Sequence, residues 1–252
     1  MSGTLSCREP VYPSWQDAVE LLPHAGIHGL EANQRPREEL AEVVAGAQEH
    51  GVEVLTLATH VNLDAEESVA GYVAALDAAG SLGIPIVFTS ASGSERELDD
   101  YMSDLRDLAD EAQERGAVIA LETHRPFCPN ADRMLATMDA IGHPNVGINF
   151  DTGNIYYYNR DLASADELER VVEHVVSLHL KDTEGDYESF DFPVLGRGVV
   201  EWDRIFGTLD AAGFDGPLTL ELEGPVVHGK DRDQRHGAVV ECVQFLRSIG
   251  VG

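Results

Sequence analysis

The chain has 252 residues, 43 % of them apolar, with 45 Asp and Glu against 17 Lys and Arg and a formal net charge of −28. That length and apolar content suffice for one sizeable core, while a surface this acidic repels nucleic acid and anionic membranes at ordinary ionic strength. No window of about eighteen apolar residues suggests a membrane span, and the opening MSGTLSCREP lacks the basic and apolar blocks of a secretory signal.

Strands and helices then alternate along the chain. A weak strand is predicted at 4–6, followed by a helix near 14–25 that opens on SWQD, where Ser14 has N-cap spacing and Asp17 is the acid three positions on. Next come a strand at 27–31, a helix near 37–50, a strand at 53–59 and a helix near 66–82. A strand at 84–89, a helix near 96–115, a strand at 118–123 and a helix near 131–141 continue the pattern. The last strands are at 146–151, 175–180 and 218–222, with helices near 164–174, 202–212 and 234–249. Gly51, Gly83 and Gly116 sit just before strands and suit the left-handed turn that ends a helix. No linker or composition shift divides the chain, so a single domain over 1–252 is expected. Eight β and eight α segments predict an α/β fold of parallel strands and helical crossovers. At this length a closed (β/α)8 TIM barrel is expected ahead of an open doubly wound sheet.

Only two of the basic residues, Lys181 and Lys230, are lysine. Solubility alone accounts for an acidic surface. The sharper expectation is a halophilic protein of a salt-rich cytoplasm, where molar salt shortens the Debye length to about 3 Å and screens self-repulsion. Three scattered cysteines, Cys7, Cys128 and Cys242, make neither a disulfide framework nor a thiolate zinc site, which fits a reducing, cytoplasmic location.

Enzymes built on such barrels carry their reacting groups at the C-terminal ends of the strands. Six of the eight predicted strands finish there in a carboxylate or imidazole: Glu31, His60, Glu122 with His124 close behind, Asp151, His179 with Lys181, and Glu221 with Glu223. One such ending is ordinary, a strand leaving the core; six on one rim converge on a site. Carboxylates gathered in this way repel one another and resist ionisation unless a cation lies among them. Glu122, Asp151, His179 and Glu221 lie on four successive strands and make a cup of three oxygen donors and one imidazole. That set suits one divalent ion: Mn²⁺, Mg²⁺ or Co²⁺, with Zn²⁺ compatible but less favoured without thiolates.

HGLEAN, LETH, INFDTGN, SLHLKD, PVLGRGVVEW and FDGPLTLELE follow one another from residue 28 to residue 223. In series they resemble the xylose isomerase-like barrel superfamily, in particular its sugar (phosphate) isomerase/epimerase branch. The resemblance implies that Glu122, Asp151, His179 and Glu221 hold one divalent metal, and that Glu122 and Glu221 face opposite sides of a small sugar or polyol substrate. Glu221 takes the ligand role ahead of Glu223 because it follows the GPLTL run. Catalysis is then expected to run through a metal-stabilised enediolate, the two glutamates removing and returning the proton to isomerise or epimerise the sugar. Glu31, His60, His124, Lys181, Asp182 and Arg197 are candidate substrate-binding residues. Plainer roles stand beside these: a structural hydrogen bond for Glu31, ordinary pairing for the histidines, turn capping for Asp182 and surface ion pairing for Arg197. The aromatics of IYYYN can form a sugar-facing wall or pack the core. GRG at 196–198 reads as a turn, and HGKDRDQRH as a solvated loop.

Three other readings share part of this pattern. A dehydratase of a keto-inositol or dehydroshikimate-like polyol starts with the same proton abstraction and differs in its product. An apurinic-site endonuclease uses such a barrel with three metals, but Asn154 follows DTG where that activity needs a histidine, and the charge repels DNA. A non-catalytic sugar-binding barrel is disfavoured by four intact ligand positions. A homo-oligomer is compatible with each of them.

Overall fold

Each predicted strand has its counterpart in the computed structural model, which describes residues 3–251. The strands are β1 (Thr4–Arg8), β2 (Gly29–Asn33), β3 (Glu53–Asn62), β4 (Ile86–Ser92), β5 (Val118–Glu122), β6 (Val146–Asp151), β7 (Val175–Leu180) and β8 (Pro217–Leu220). They pair in parallel in sequence order, and β8 returns to β1 to close the barrel. Apolar residues such as Leu30, Leu57, Val87, Ile148, Leu178 and Leu218 are wholly buried, as required of strands covered outside by helices and packed within.

The helices are α1 (Trp15–Ala25), α2 (Arg37–Glu49), α3 (Glu66–Leu82), α4 (Asp100–Glu114) and α5 (Ala131–Ile141), then α6 (Asn154–Tyr158), α7 (Ser164–Val171), α8 (Trp202–Ala212) and α9 (Arg232–Ser248). Ser14 caps α1, its Oγ accepting from Asp17 N at 3.1 Å, and Gly83 ends α3 in the left-handed region at φ 74°. Among the described residues, no helix is long and apolar enough to cross a membrane.

Departures from the expected boundaries have local causes. Strand β1 runs on to Arg8 because Arg8 pairs with Glu31 across the ladder. Ile27 is not yet in β2, because its N–H closes α1 on Leu22 O at 3.0 Å. Helix α4 starts at Asp100 and not near 96, since Asp64 captures the preceding backbone. Its Oδ2 accepts from Ser94 N at 2.7 Å and Glu95 N at 3.1 Å, a competing arrangement that holds those residues out of a helix. The short α6 was not expected; a five-residue helix has too little length to display a period.

Candidate active site

Alternation along a strand sends every second side chain into the barrel. On β5 to β8 this places Glu122, Asp151, His179 and Glu221 at one end, with a ligand atom from each within 4.8 Å of the others. All four are buried. Register sets Asp151 beside His179. Glu221 lies just beyond β8, and its N–H still bonds Leu180 O at 3.2 Å, which carries the side chain into the cup.

Each member is held from outside the cup. Asp151 Oδ1 accepts from Gly153 N at 2.8 Å and Asn154 N at 2.9 Å. Its Oδ2 makes no hydrogen bond and faces Lys181 Nζ at 3.1 Å and His179 Nδ1 at 3.9 Å. His179 turns Nε2 to Glu31 Oε2 at 3.2 Å. Nδ1 faces a carboxylate as well, Glu221 Oε2 at 3.1 Å, so in the metal-free cup both ring nitrogens donate and the ring is held as the imidazolium. A metal ion taken at Nδ1 would displace that hydrogen and leave Nε2–H on Glu31. Glu221 gives Oε1 to Arg8 Nη1, while Oε2 lies 2.6 Å from Lys181 Nζ and 3.1 Å from His179 Nδ1. Glu122 accepts from Ser90 Oγ and, at 3.3 Å, from Asn154 Nδ2.

Five carboxylates, those of Glu31, Glu122, Asp151, Glu221 and Glu223, meet two fixed cations, Arg8 and Lys181, in this small volume. Burial, with repulsion from Glu221, raises the Glu122 carboxyl above its ordinary range. Burial also lifts Asp151 to about 8, with Lys181 pulling the other way and Glu221 adding to the rise. For Glu221 burial opposes ionisation, yet Lys181, His179 and Arg8 hold it well below the usual carboxylate value. Burial disfavours the His179 imidazolium, but Glu221 and Glu31 lift it to about 10. Asp151 Oδ2 has no hydrogen bond and meets Lys181 across an ion pair, and the surplus of carboxylates over fixed cations around it is an environment that a further cation completes. Three carboxylates and an imidazole suit a hard or borderline divalent ion, so the residues of the cup fit such a group.

Glu122 and Glu221 of the cup line a cavity of about 730 Å³. Tyr157 and Tyr158 from α6 and Phe190 and Phe192 from the loop after β7 form one wall, with ring centroids 5.0 to 5.9 Å apart in edge-on contacts. Phe190 is 54 % exposed. His60 and His124 lie at the lip, His124 edge-on to Tyr158 at 5.1 Å. Lys181 reaches the cavity from within the cup, held also by Glu223 at 2.8 Å and Asn154 Oδ1 at 3.2 Å. Glu31 stands behind His179, engaged by it and by Arg8 Nε at 2.9 Å.

Two candidate substrate-binding residues are corrected by the structure. Asp182 does not face the cavity. Its Oδ2 accepts from Gly196 N at 2.8 Å, Gly198 N at 3.0 Å and Trp202 Nε1 at 3.2 Å. Its Oδ1 accepts from Thr183 N at 3.0 Å and Val200 N at 3.3 Å. The GRG turn is wrapped around this carboxylate so closely that a Cβ on Gly198 would fall 2.3 Å from Asp182 Oδ1. Arg197 points outward, 65 % exposed, and pairs with Glu241 of α9.

Three residues of the site went unanticipated: Arg8, Ser90 and Asn154. Arg8 shares strand parity with Ser6, two residues past the expected end of β1, and a basic side chain there was the available signal. Ser90 falls one residue beyond the expected end of β4, and Asn154 is recruited by the turn that Asp151 organises.

A closed (β/α)8 barrel with a buried carboxylate–imidazole cup at the C-terminal ends of its strands is the class that fold and site define. Residues 16–249 match the family model described as xylose isomerase-like TIM barrel, and the chain belongs to that family. A curated relative, the L-ribulose-5-phosphate 3-epimerase UlaE of Salmonella typhi, is 27 % identical over 124 residues. That stretch is 48 % of this chain and 42 % of the relative, so the match spans less than half of the relative's length. Among solved structures, D-psicose 3-epimerase from Clostridium cellulolyticum H10 superposes with a TM-score of 0.80 at 15 % identity, covering 99 % of this chain and all of the other. The probable 3-DHS dehydratase AsbF from Bacillus anthracis gives 0.78 at 16 % identity, covering 97 % and 98 %. Such identities establish the fold alone. An epimerase and a dehydratase superpose almost equally well, which leaves the choice of reaction to the site.

Proposed function

We propose that the protein is a divalent-metal-dependent isomerase or epimerase of a sugar or sugar phosphate, with Glu122, Asp151, His179 and Glu221 holding the ion. The observation that carries this reading is the half-engaged Asp151: one oxygen fixed by two backbone N–H groups, the other without a hydrogen bond in a buried cup of carboxylates. When bound, a divalent ion would polarise a sugar carbonyl and acidify the neighbouring C–H; Mn²⁺, Mg²⁺ or Co²⁺ suits the donors best.

The side chains do the rest. Glu122 and Glu221 stand three strands apart, so they approach a ligand in the cavity from different sides. Glu221, faced by cations, removes the proton. Glu122, contacted by the uncharged Ser90 and Asn154, returns it to the neighbouring carbon or to the other face. His60, His124 and Lys181 offer hydrogen bonds to substrate hydroxyls, and the aromatic wall excludes water from one side of the site. The same reading carries a cytoplasmic, salt-adapted protein; equal stability in dilute buffer and in molar KCl would refute the salt adaptation.

A screen of ketoses, aldoses and keto-inositols with Mn²⁺, followed by NMR for solvent deuterium entering the α-carbon, tests the reaction. Exchange that needs the metal, with an isomeric or epimeric product, is expected. An enone or diketone product with new ultraviolet absorption would move the assignment to the dehydratase. Glu221→Gln should keep the metal and lose exchange by about 10² to 10⁴-fold; full turnover in that variant would remove Glu221 from the proton transfer.

A further inference from the structure

Arg8 closes a ring of four charged side chains at the back of the cup. Its Nε lies 2.9 Å from Glu31 Oε1, an ion pair without a hydrogen bond, and its Nη1 bonds Glu221 Oε1. The remaining oxygen of each carboxylate goes to His179: Glu31 Oε2 to Nε2 at 3.2 Å and Glu221 Oε2 to Nδ1 at 3.1 Å. The guanidinium and the imidazole thus hold the same two glutamates from opposite ends. Phe88 supports both, its ring centroid 5.7 Å from Arg8 Cζ and 4.6 Å from the His179 ring. Register fixes the first contact, since Arg8 pairs with Glu31 in the β1–β2 ladder.

We propose that Arg8 is a positioning residue for the metal centre, acting as a planar fork that turns one oxygen of Glu221 away from the cup and orients His179 through Glu31. The proposal rests on the metal-ligand role proposed for Glu221 and His179. The geometry carries it. With Oε1 hydrogen-bonded to Arg8, Glu221 offers the cup a single oxygen, and the ion pair between Arg8 Nε and Glu31 Oε1 holds in place the carboxylate that aligns His179. Guanidinium donors lie in a fixed plane and can engage two carboxylates at once, whereas an ammonium is a point charge without that directionality. Charge compensation alone would be met by either. Arg8 is therefore required as a fork and not only as a cation.

Mn²⁺ affinity of the metal-stripped full-length chain, measured by calorimetry and by the loss of the free-ion EPR signal, provides a readout that does not depend on turnover. Arg8→Gln and Arg8→Lys should both weaken Mn²⁺ binding by roughly 10- to 100-fold, the range for residues that orient metal ligands. With an exchanging substrate, kcat should fall further than KM moves. Arg8→Lys keeps the charge, so it is the variant least prone to misfold and the one that decides between fork and cation; thermal unfolding checks its integrity. In Arg8→Gly, added methylguanidinium should restore affinity and methylammonium should not. Wild-type affinity in Arg8→Lys, or equal rescue by both ions, overturns the fork. Failure of the unaltered protein to bind Mn²⁺ overturns the metal centre itself and, with it, this role for Arg8.

Discussion

Asp151 and Asp182 occupy near-equivalent places in the barrel and do different work. Asp151 ends β6 and Asp182 lies two residues past the end of its neighbour β7, at the same end of the barrel, and their exposures are 0 % and 1 %. Asp182 accepts from five donors distributed over both oxygens. Asp151 accepts two bonds on one oxygen and none on the other. Burial alone therefore does not mark a functional carboxylate. A carboxylate whose acceptor capacity is filled by the chain is part of the scaffold; one with an oxygen free of hydrogen bonds, facing the Lys181 ammonium among other carboxylates, can take a metal ion.

Exchanging each for its amide breaks the pair apart. Asp151→Asn should weaken Mn²⁺ binding by more than about a hundredfold while lowering the urea midpoint in EDTA only modestly, because the buried Lys181 loses one carboxylate partner and keeps Glu221 and Glu223. Asp182→Asn should do the reverse. Its amide N–H₂ must meet backbone or indole N–H groups that expect an acceptor, at a cost of about 4 kcal/mol, or roughly 8–16 °C in Tm for a chain of this size. Metal stoichiometry should stay at one per chain. Loss of metal in Asp182→Asn at unchanged stability would erase the distinction between the two carboxylates.

The two aspartates also explain how far the sequence could be read. Strands β6 and β7 were legible to the residue, because each is an apolar β-branched run that stops abruptly at a polar group. The four cup residues were legible for the same reason. Asp182 was not, since its partners lie 14, 16, 18 and 20 residues ahead, apart from the adjacent Thr183 N–H, and most are backbone N–H groups that every sequence possesses. Arg8 needed the cross-strand register with Glu31, which periodicity within β1 does not contain. Ser90 needed the pairing of β4 with the unexpectedly long β3, where it lies opposite His60.

Alkaline titration of the metal-free protein sharpens the contrast by a smaller amount. His179 is lifted to about 10 in the fold, by Glu221 and Glu31 against burial, from an ordinary 6.5. A folded state that binds this proton more tightly is stabilised fully below pH 6.5, and the stabilisation is lost as pH rises through about 10. Urea midpoints in EDTA should therefore fall across that interval. Asp182→Asn should retain the slope from a lower starting point, and His179→Gln should flatten it above about pH 8, where Asp151 no longer titrates. Saturating Mn²⁺ should oppose the fall from pH 6.5 upward, because its ligands bind as the deprotonated forms. Between pH 8 and 10, above the Asp151 carboxyl at about 8, a slope that survives in His179→Gln would show that His179 is not the titrating group.

Trp202→Phe is the mildest probe of the Asp182 turn. It removes one of five donors, the indole N–H at 3.2 Å from Oδ2, and keeps an aromatic ring against Phe206, whose centroid is 5.9 Å away. Four backbone N–H groups still satisfy the carboxylate, so the loss should be near that of one hydrogen bond to a charged acceptor, about 1.5 kcal/mol or roughly 3–6 °C in Tm. Trp202 packs against Phe206 and Phe245, away from the cup, and Mn²⁺ affinity should stay within about twofold of the unaltered protein. A shift in metal affinity comparable to that of Asp151→Asn would mean that the turn and the cup are one coupled unit, with Asp182 acting on the site through the segment that continues from the strand of His179.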